Sequence, residues 1–331
     1  MLHVLANWQC MLYSACTCIT MLHLQAPLSE LKNLKWKEGK NWPFAMWYYP
    51  RMTLFKEKVY IGGGLASSVR EERTVIVYDP KHDSYDTLPP YTYKWFSMAV
   101  VNNQLVLIGG REVQAGKRRT NKLGVWNEQS RSWTHPLPPM TTACSSSSVA
   151  THNNRWLVVM GGWDDETRLS KVEILDATES GQWYLAASLP QPLCHVLPAI
   201  IGNMCYLLGG STEGGASKKV FSVCLDDLIT QAISQQASAS APAIPSPWHS
   251  LPNTPLIYST TVAFNGALLA VGGGDLRGST AIYSYQPSSR SWINAGELPT
   301  ERWQCTCTVL PNGGLYVAGG SDKQVDIASV E

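Results

Sequence analysis

The sequence predicts an all-β protein, a six-bladed β-propeller with four antiparallel strands in each blade. Three observations carry that prediction. A short apolar strand ending in Gly-Gly recurs six times along 331 residues. In five of those units an aromatic residue and then a Leu-Pro pair follow the doublet. The composition is that of a strand-rich chain, with 13 Trp and 14 Tyr against 5 Phe, and 26 Gly with 20 Pro to make turns. Trp and Tyr suit strands and their exposed ends, where the ring packs and the polar tip finds a partner. Gly and Pro supply the backbone angles of tight turns.

The doublet strands are VYIGG (59–63), LVLIGG (105–110), LVVMGG (157–162), YLLGG (206–210), LLAVGG (268–273) and LYVAGG (315–320). Their first glycines are separated by 47, 52, 48, 63 and 47 residues. A polar loop follows each doublet, then a third strand of alternating character: 74–80, 122–128, 171–177, 219–225, 280–287 and 324–330. Next come a turn, an aromatic (Tyr85, Trp133, Trp183, Trp248, Trp292) and Leu-Pro at 88–89, 137–138, 189–190, 251–252 and 298–299. A further apolar strand leads back to the following doublet, which makes four strands per unit. Trp36 precedes Gly62 by 26 residues, within the 24–28 that separate the other aromatics from their doublets. The segment 31–39 is therefore expected to supply the fourth strand of the last blade and to close the ring, removing open sheet edges.

A period near 50 residues, with these residues in this order, resembles the kelch repeat. The resemblance covers 31–331 and implies a six-bladed kelch-type propeller whose last blade is closed by an N-terminal strand. Tyr85 stands where the other units carry Trp, and the Arg often found after Leu-Pro is clear only as Arg302. The fourth unit carries an insertion, ITQAISQQASASAPAIPSP (229–247), which explains its longer step. Rich in Ala, Ser, Gln and Pro and without charge, it reads as a mobile surface loop. Residues 1–30 stand apart as an N-terminal segment.

Composition excludes several function classes. A net charge of +1 offers no global field for nucleic acid or an anionic membrane. The first 27 residues lack the basic start and clean apolar core of a signal peptide, and no apolar run approaches the ~18 residues of a span. Nine cysteines, an odd number set mostly within apolar runs, read as buried free thiols of a reducing, cytoplasmic compartment. No Gly-rich loop opens a helix, so the doublets are structural rather than phosphate-binding. The seven histidines are scattered, and Cys305 and Cys307 share one face of a strand rather than forming a metal pair. Neither metal nor cofactor is expected, and no catalytic residues. Asp164, Asp165 and Glu166 read as a solvated loop, and Lys117, Arg118 and Arg119 as a charged loop tip.

In a four-stranded meander the loops between the second and third strands share one end with the connections between blades. These loops are the longer and more varied ones, as at 111–121 and 163–170. Long loops on a rigid frame are where binding residues concentrate. The same end receives Tyr49, Arg51, Trp95, Tyr258, Arg302 and Trp303 from the starts of first strands, with Arg111 and Trp163 opening loops beside them. Tyr, Trp and Arg are the types enriched at binding hot spots. The expected function is therefore non-enzymatic: a face formed by Arg51, Trp95, Arg111, Trp163, Tyr258, Arg302 and Trp303 that binds another protein, as an acidic or polar peptide. The resemblance implies partner binding at this face, as in substrate recognition by a ubiquitin-ligase adaptor. Its alternatives are a structural, actin-associated scaffold and, among kelch-like propellers, a copper oxidase or a sugar-acid isomerase.

Overall fold

The apolar runs before the doublets become the second strands of their sheets because each is buried on both faces. Leu105, Val106, Leu107 and Ile108 are all fully enclosed. A computed structural model describes residues 35–320, apart from 38, 40, 44–45, 67, 114–117, 179–180, 238–245 and 275–277. Blade 1 comprises β1 (Arg51–Phe55), β2 (Lys58–Gly62), β3 (Ile76–Asp79) and β4 (Ser84–Thr87). Blade 2 comprises β5 (Ser97–Val101), β6 (Gln104–Ile108), β7 (Leu123–Asn127) and β8 (Ser132–Thr134). Blade 3 comprises β9 (Ser148–His152), β10 (Trp156–Met160), β11 (Val172–Asp176) and β12 (Trp183–Ala186). Blade 4 comprises β13 (Ala199–Ile201), β14 (Met204–Leu208), β15 (Val220–Cys224) and β16 (His249–Leu251). Blade 5 comprises β17 (Thr260–Phe264), β18 (Ala267–Val271), β19 (Ser279–Gln286) and β20 (Ser291–Arg302).

Every blade is an antiparallel meander in chain order. In four of the blades the first two strands join through tight turns with two left-handed residues, as at Asn102 (φ 50°) and Asn103 (φ 54°), or Asn153 (φ 51°) and Asn154 (φ 52°). This is the hairpin geometry whose twist matches that of the strands, and Asn tolerates it. Between blades lie apolar layers. Val106 and Ile108 of blade 2 meet Leu157 and Val159 of blade 3, and Tyr206 and Leu208 of blade 4 meet Leu268 and Ala270 of blade 5. An indole N–H then ties each blade to the one before it. Trp133 donates to the Pro89 carbonyl at 2.9 Å, Trp183 to Pro138 at 3.1 Å, Trp248 to Ala187 at 3.0 Å and Trp292 to Pro252 at 3.0 Å. The aromatic and the Leu-Pro of the repeat thus form one inter-blade fastening.

The expectation of six four-stranded blades is corrected to five among the described residues. The sixth doublet belongs to a two-stranded sheet, β21 (Thr306–Val309) with β22 (Leu315–Ala318). It packs between blades 5 and 1. Cys307 and Val317 share a core with Leu269 and Ile282, while Tyr316 and Ala318 share one with Val59 and Ile61. The strand expected at 324–330 lies outside the described residues, as do residues 1–30 and most of the expected closing strand at 31–39; residues 35–37 are not in a strand. Trp36 nevertheless packs on the blade 5 core and donates its indole N–H to the Glu297 carbonyl at 2.8 Å, repeating the inter-blade fastening. Tyr85, the exception among the aromatics, meets the Tyr316 hydroxyl at 3.1 Å instead.

The reading of the insertion is corrected for residues 229–237, while 238–245 lie outside the described residues. Residues 225–237 form a helix, α1 (Leu225–Ala237), whose buried residues Leu225, Leu228, Ile229 and Ala232 make a stripe at helical spacing. That stripe packs on β12 and β15. Asp226 and Asp227 sit in its first turn, where the helix dipole favours negative charge. Asp226 also contacts the buried His152 at 2.6 Å. The sparse apolar residues were enough because they share one face.

Candidate functional site

Six residues, one per repeat, take the left-handed backbone conformation where the chain passes from one repeat into the next. They are Tyr49 (φ 53°), Trp95 (57°), Ser146 (55°), His195 (61°), Tyr258 (57°) and Gln304 (56°). None is glycine, so each position carries of order 1 kcal/mol of strain that the surroundings must hold. Backbone bonds between them do part of that holding. Ser146 N–H donates to Trp95 O at 3.1 Å, His195 to Ser146 at 3.0 Å, Gln304 to Tyr258 at 3.1 Å and Tyr49 to Gln304 at 3.2 Å. The last of these joins the first repeat to the sixth. The doublets supply further clamps: Gly110 N–H donates to Cys144 O at 2.9 Å, Gly162 to Leu193 at 2.8 Å and Gly273 to Arg302 at 2.7 Å. Each acceptor lies two residues before a ring residue. At Gly109, φ is 61° and a Cβ would stand 2.2 Å from Cys144 O, so only glycine brings the doublet this close.

The ring residues converge on the channel mouth. Tyr49 and His195, three places apart in a ring of six, stack across the axis with centroids 4.1 Å apart and planes 18° apart. Gln304 Nε2 donates to the Tyr49 hydroxyl at 2.9 Å. Above this stack opens a cavity of about 350 Å³, walled by Trp95, Trp163 and Trp303 with Leu65 and Gly63 beside them. Cations lie on its indoles. Lys94 Nζ is 4.4 Å and Arg111 Cζ 5.3 Å from the Trp95 ring centre, and Arg119 and Arg168 stand 4.6 and 5.5 Å from that of Trp163. Carboxylates tether three of them: Glu72 holds Lys94 at 2.8 Å, Asp165 holds Arg119 at 2.6 Å and Glu213 holds Arg168 at 3.1 Å. The mouth is an aromatic cup with a fixed basic rim.

A smaller cavity, about 20 Å³, lies on the other side of the stack, lined by Arg51, Ser259, Thr260, Leu197 and Cys305. Tyr49, His195 and Gln304 border both spaces. Burial, and then the cations Arg51 and Arg168, push the His195 pKa down to about 3, so its imidazole is neutral at physiological pH. Burial likewise raises the Tyr49 phenol and the Cys194 thiol, and lowers Arg51 to about 10. Of this group, the guanidinium is the one that carries charge at neutral pH.

The residues expected at the mouth divide. Trp95, Trp163 and Trp303 line the large cavity, and Arg111 lies over Trp95. Tyr258 stands between the two spaces, 5.6 Å from the Trp303 ring and edge-on to it. Arg302 is corrected: it is fully buried and donates through Nη1 to Gly319 O at 2.9 Å, bracing the last doublet rather than facing a partner. Arg51, only 4% exposed, belongs to the inner cavity, because the strand turns its side chain beneath the stack. Sequence reasoning missed His195, Ser146 and Gln304. A signal existed, since every ring residue lies 13–15 residues before the first glycine of a doublet. Of the expected basic run, Lys117 is outside the described residues, Arg118 is exposed and Arg119 is buried against Ser145 and Asp165.

The described cysteines are all free, and five of the six are buried. Burial holds Cys144 and Cys205 up at about 12, so they pack as inert thiols. Tyr258 and Cys305 do share the inner cavity, beside a single imidazole, that of His195. Among the described residues no group of three His, Cys, Asp or Glu is placed to hold a metal, and no helix is long and apolar enough to cross a membrane.

A β-propeller built from Gly-Gly repeats, with an aromatic cup at one mouth of its channel, is the class that fold and site define. The KLHDC2/KLHL20/DRC7 Kelch-repeats domain model matches residues 95–320, and the chain belongs to this kelch-repeat family. Among curated proteins, Kelch-like protein 35 of Mus musculus is 25% identical over 84% of this chain and 44% of its own length. Kelch-like protein 25 of Xenopus tropicalis is 26% identical over 47% of this chain and 28% of its own. Kelch repeat and BTB domain-containing protein 1 of Camelpox virus is 22% identical over 80% of this chain and 44% of its own. The chain thus spans less than half the length of these relatives. The solved structure of YjhT shares the fold, with a TM-score of 0.69 at 15% identity, covering 88% of this chain and 95% of that one.

Proposed function

We propose that the propeller is a protein-interaction module that receives a segment of a partner protein in the aromatic cup at the channel mouth. The cup itself carries the reading: three indoles around about 350 Å³ on a rigid ring, with cations fixed over two of them. A cavity of that size accepts one or two apolar side chains, and buried indoles are effective anchors. The rim cations, three of them already paired with carboxylates, suit a polar or acidic segment with an apolar tip. Membership of the kelch-repeat family and the likeness to longer Kelch-like and BTB-containing proteins support a role as the recognition part of a larger adaptor, of the kind that presents substrates to a ubiquitin ligase.

The test is affinity capture with mass spectrometry, comparing wild type with Trp163→Ala and Trp303→Ala. Leu185→Ala, at a 58% exposed site on the outer strand of blade 3, is the control. Partners lost from both tryptophan variants and kept by the control support the cup. Partners kept by the tryptophan variants and lost from the control would move the interface to the outer edges of the blades, as a structural scaffold requires.

A further inference from the structure

Among the described residues, nothing of opposite charge faces the guanidinium that the inner cavity holds. Arg51 Nη2 has no hydrogen-bond partner, and the described groups that act on its charge are the Tyr49 phenol and the Cys194 thiol, both kept neutral by burial. His195, which also borders the cavity, is neutral as well. Burying an uncompensated cation costs several kcal/mol, far more than a missing hydrogen bond. The cavity carries two further polar atoms without partners, Ser259 Oγ and Gln304 Oε1. A hydroxyl rotates to donate. In the alternative amide orientation of Gln304, its oxygen accepts from the Tyr49 hydroxyl in place of the Nε2 contact, and its N–H groups take the position of the unpartnered Oε1. Arg51, Ser259 and Gln304 all line this one cavity.

Size selects among guests. About 20 Å³ is room for one body the size of a water molecule or a halide. A water molecule satisfies hydrogen bonds but leaves the charge, whereas a halide satisfies both. Leu197 supplies an apolar wall that a weakly hydrated anion tolerates. We propose that the channel beneath the Tyr49–His195 stack is a halide site, in which one chloride ion is held by Arg51, Ser259 and Gln304 and closed off from the mouth by the two stacked rings. The ion neutralises Arg51 and steadies the floor of the cup, and the inference stands whether or not the cup binds a protein.

The experiment follows thermal unfolding of the intact protein in sodium chloride against sodium gluconate at matched ionic strength. A specific site makes the wild-type midpoint rise with the logarithm of chloride concentration, on the order of 1–3 °C per tenfold once the site is filled. Bromide should substitute, sulfate should not, and Arg51→Met should lose the chloride increment. Equal midpoints in chloride and gluconate, or the same increment in Arg51→Met, overturn the site. Should Arg51→Met fail to fold, wild-type crystals grown in bromide decide the matter. Anomalous density within hydrogen-bonding distance of Arg51 Nη2 supports the ion, and water density without anomalous signal there overturns it.

Discussion

The phenol ring of Tyr49 lies on the imidazole of His195, centroids 4.1 Å apart, so that the first and fourth repeats touch across the propeller axis. The stack floors the aromatic cup, and burial beside Arg51 and Arg168 keeps its imidazole uncharged.

Acid should therefore weaken the protein through His195. Its folded pKa, about 3, lies below the ordinary 6.5, so between those values the unfolded chain binds more protons and stability falls as pH is lowered. His195→Phe keeps a flat ring on Tyr49 and removes the titration. Melting temperatures from pH 7 to pH 4 should fall less steeply for His195→Phe than for wild type. Parallel curves would show that the imidazole is not the group that charges on unfolding.

Two glycines with similar backbones separate the cost of crowding from that of strain. At Gly109 a Cβ would stand 2.2 Å from a backbone oxygen, whereas at Gly202, φ 56°, nothing lies within 4 Å. Gly109→Ala should cost about 2–4 kcal/mol and Gly202→Ala about 1 kcal/mol, read from urea midpoints. Equal costs would mean that the doublet's close approach to the next repeat is not what glycine provides there.

These glycines also mark what was legible in sequence. The doublet, the aromatic and Leu-Pro recur because all three serve one inter-blade contact, so spacing alone revealed the propeller and placed Trp95, Trp163 and Trp303 at the mouth. The ring residues vary as Tyr, Trp, Ser, His, Tyr and Gln, because a left-handed backbone is set by its clamps rather than by residue type. Composition therefore hid His195 and Gln304. Arg302 misled for a related reason: an arginine at the mouth in sequence reads as exposed, yet one strand position decides whether it faces solvent or braces a glycine carbonyl. Among the described residues the sixth repeat gives a two-stranded sheet rather than a full blade, since the strand expected at 324–330 and most of 31–39 lie outside them.

The helix of the fourth repeat is held by its apolar stripe. Leu228 is fully buried and Ile229 is 6% exposed, whereas Ile233 is 36% exposed. Leu228→Ala should cost about 2–4 kcal/mol and Ile233→Ala less than about 1 kcal/mol. Hydrogen exchange should show faster exchange confined to α1 and β12 in Leu228→Ala, since the helix lies at the rim of blade 3. Faster exchange throughout all five blades would instead make the helix part of the ring's cooperative unit.

Arg302 gives the last prediction, because a binding role and a structural role part company there. Its side chain is wholly enclosed and holds Gly319 O at 2.9 Å, next to the doublet glycine Gly320. Arg302→Ala removes that donor and leaves both a cavity and a buried carbonyl, so about 3–5 kcal/mol of stability should be lost. Trp163→Ala removes a half-buried ring at the rim and should cost about 1–2 kcal/mol while abolishing capture by the cup. Urea unfolding of the two variants, run beside partner capture, separates the roles. Arg302→Ala should bind in proportion to its folded fraction, whereas Trp163→Ala should be folded and not bind. A stable Arg302→Ala that has lost its partner would return that arginine to the binding face.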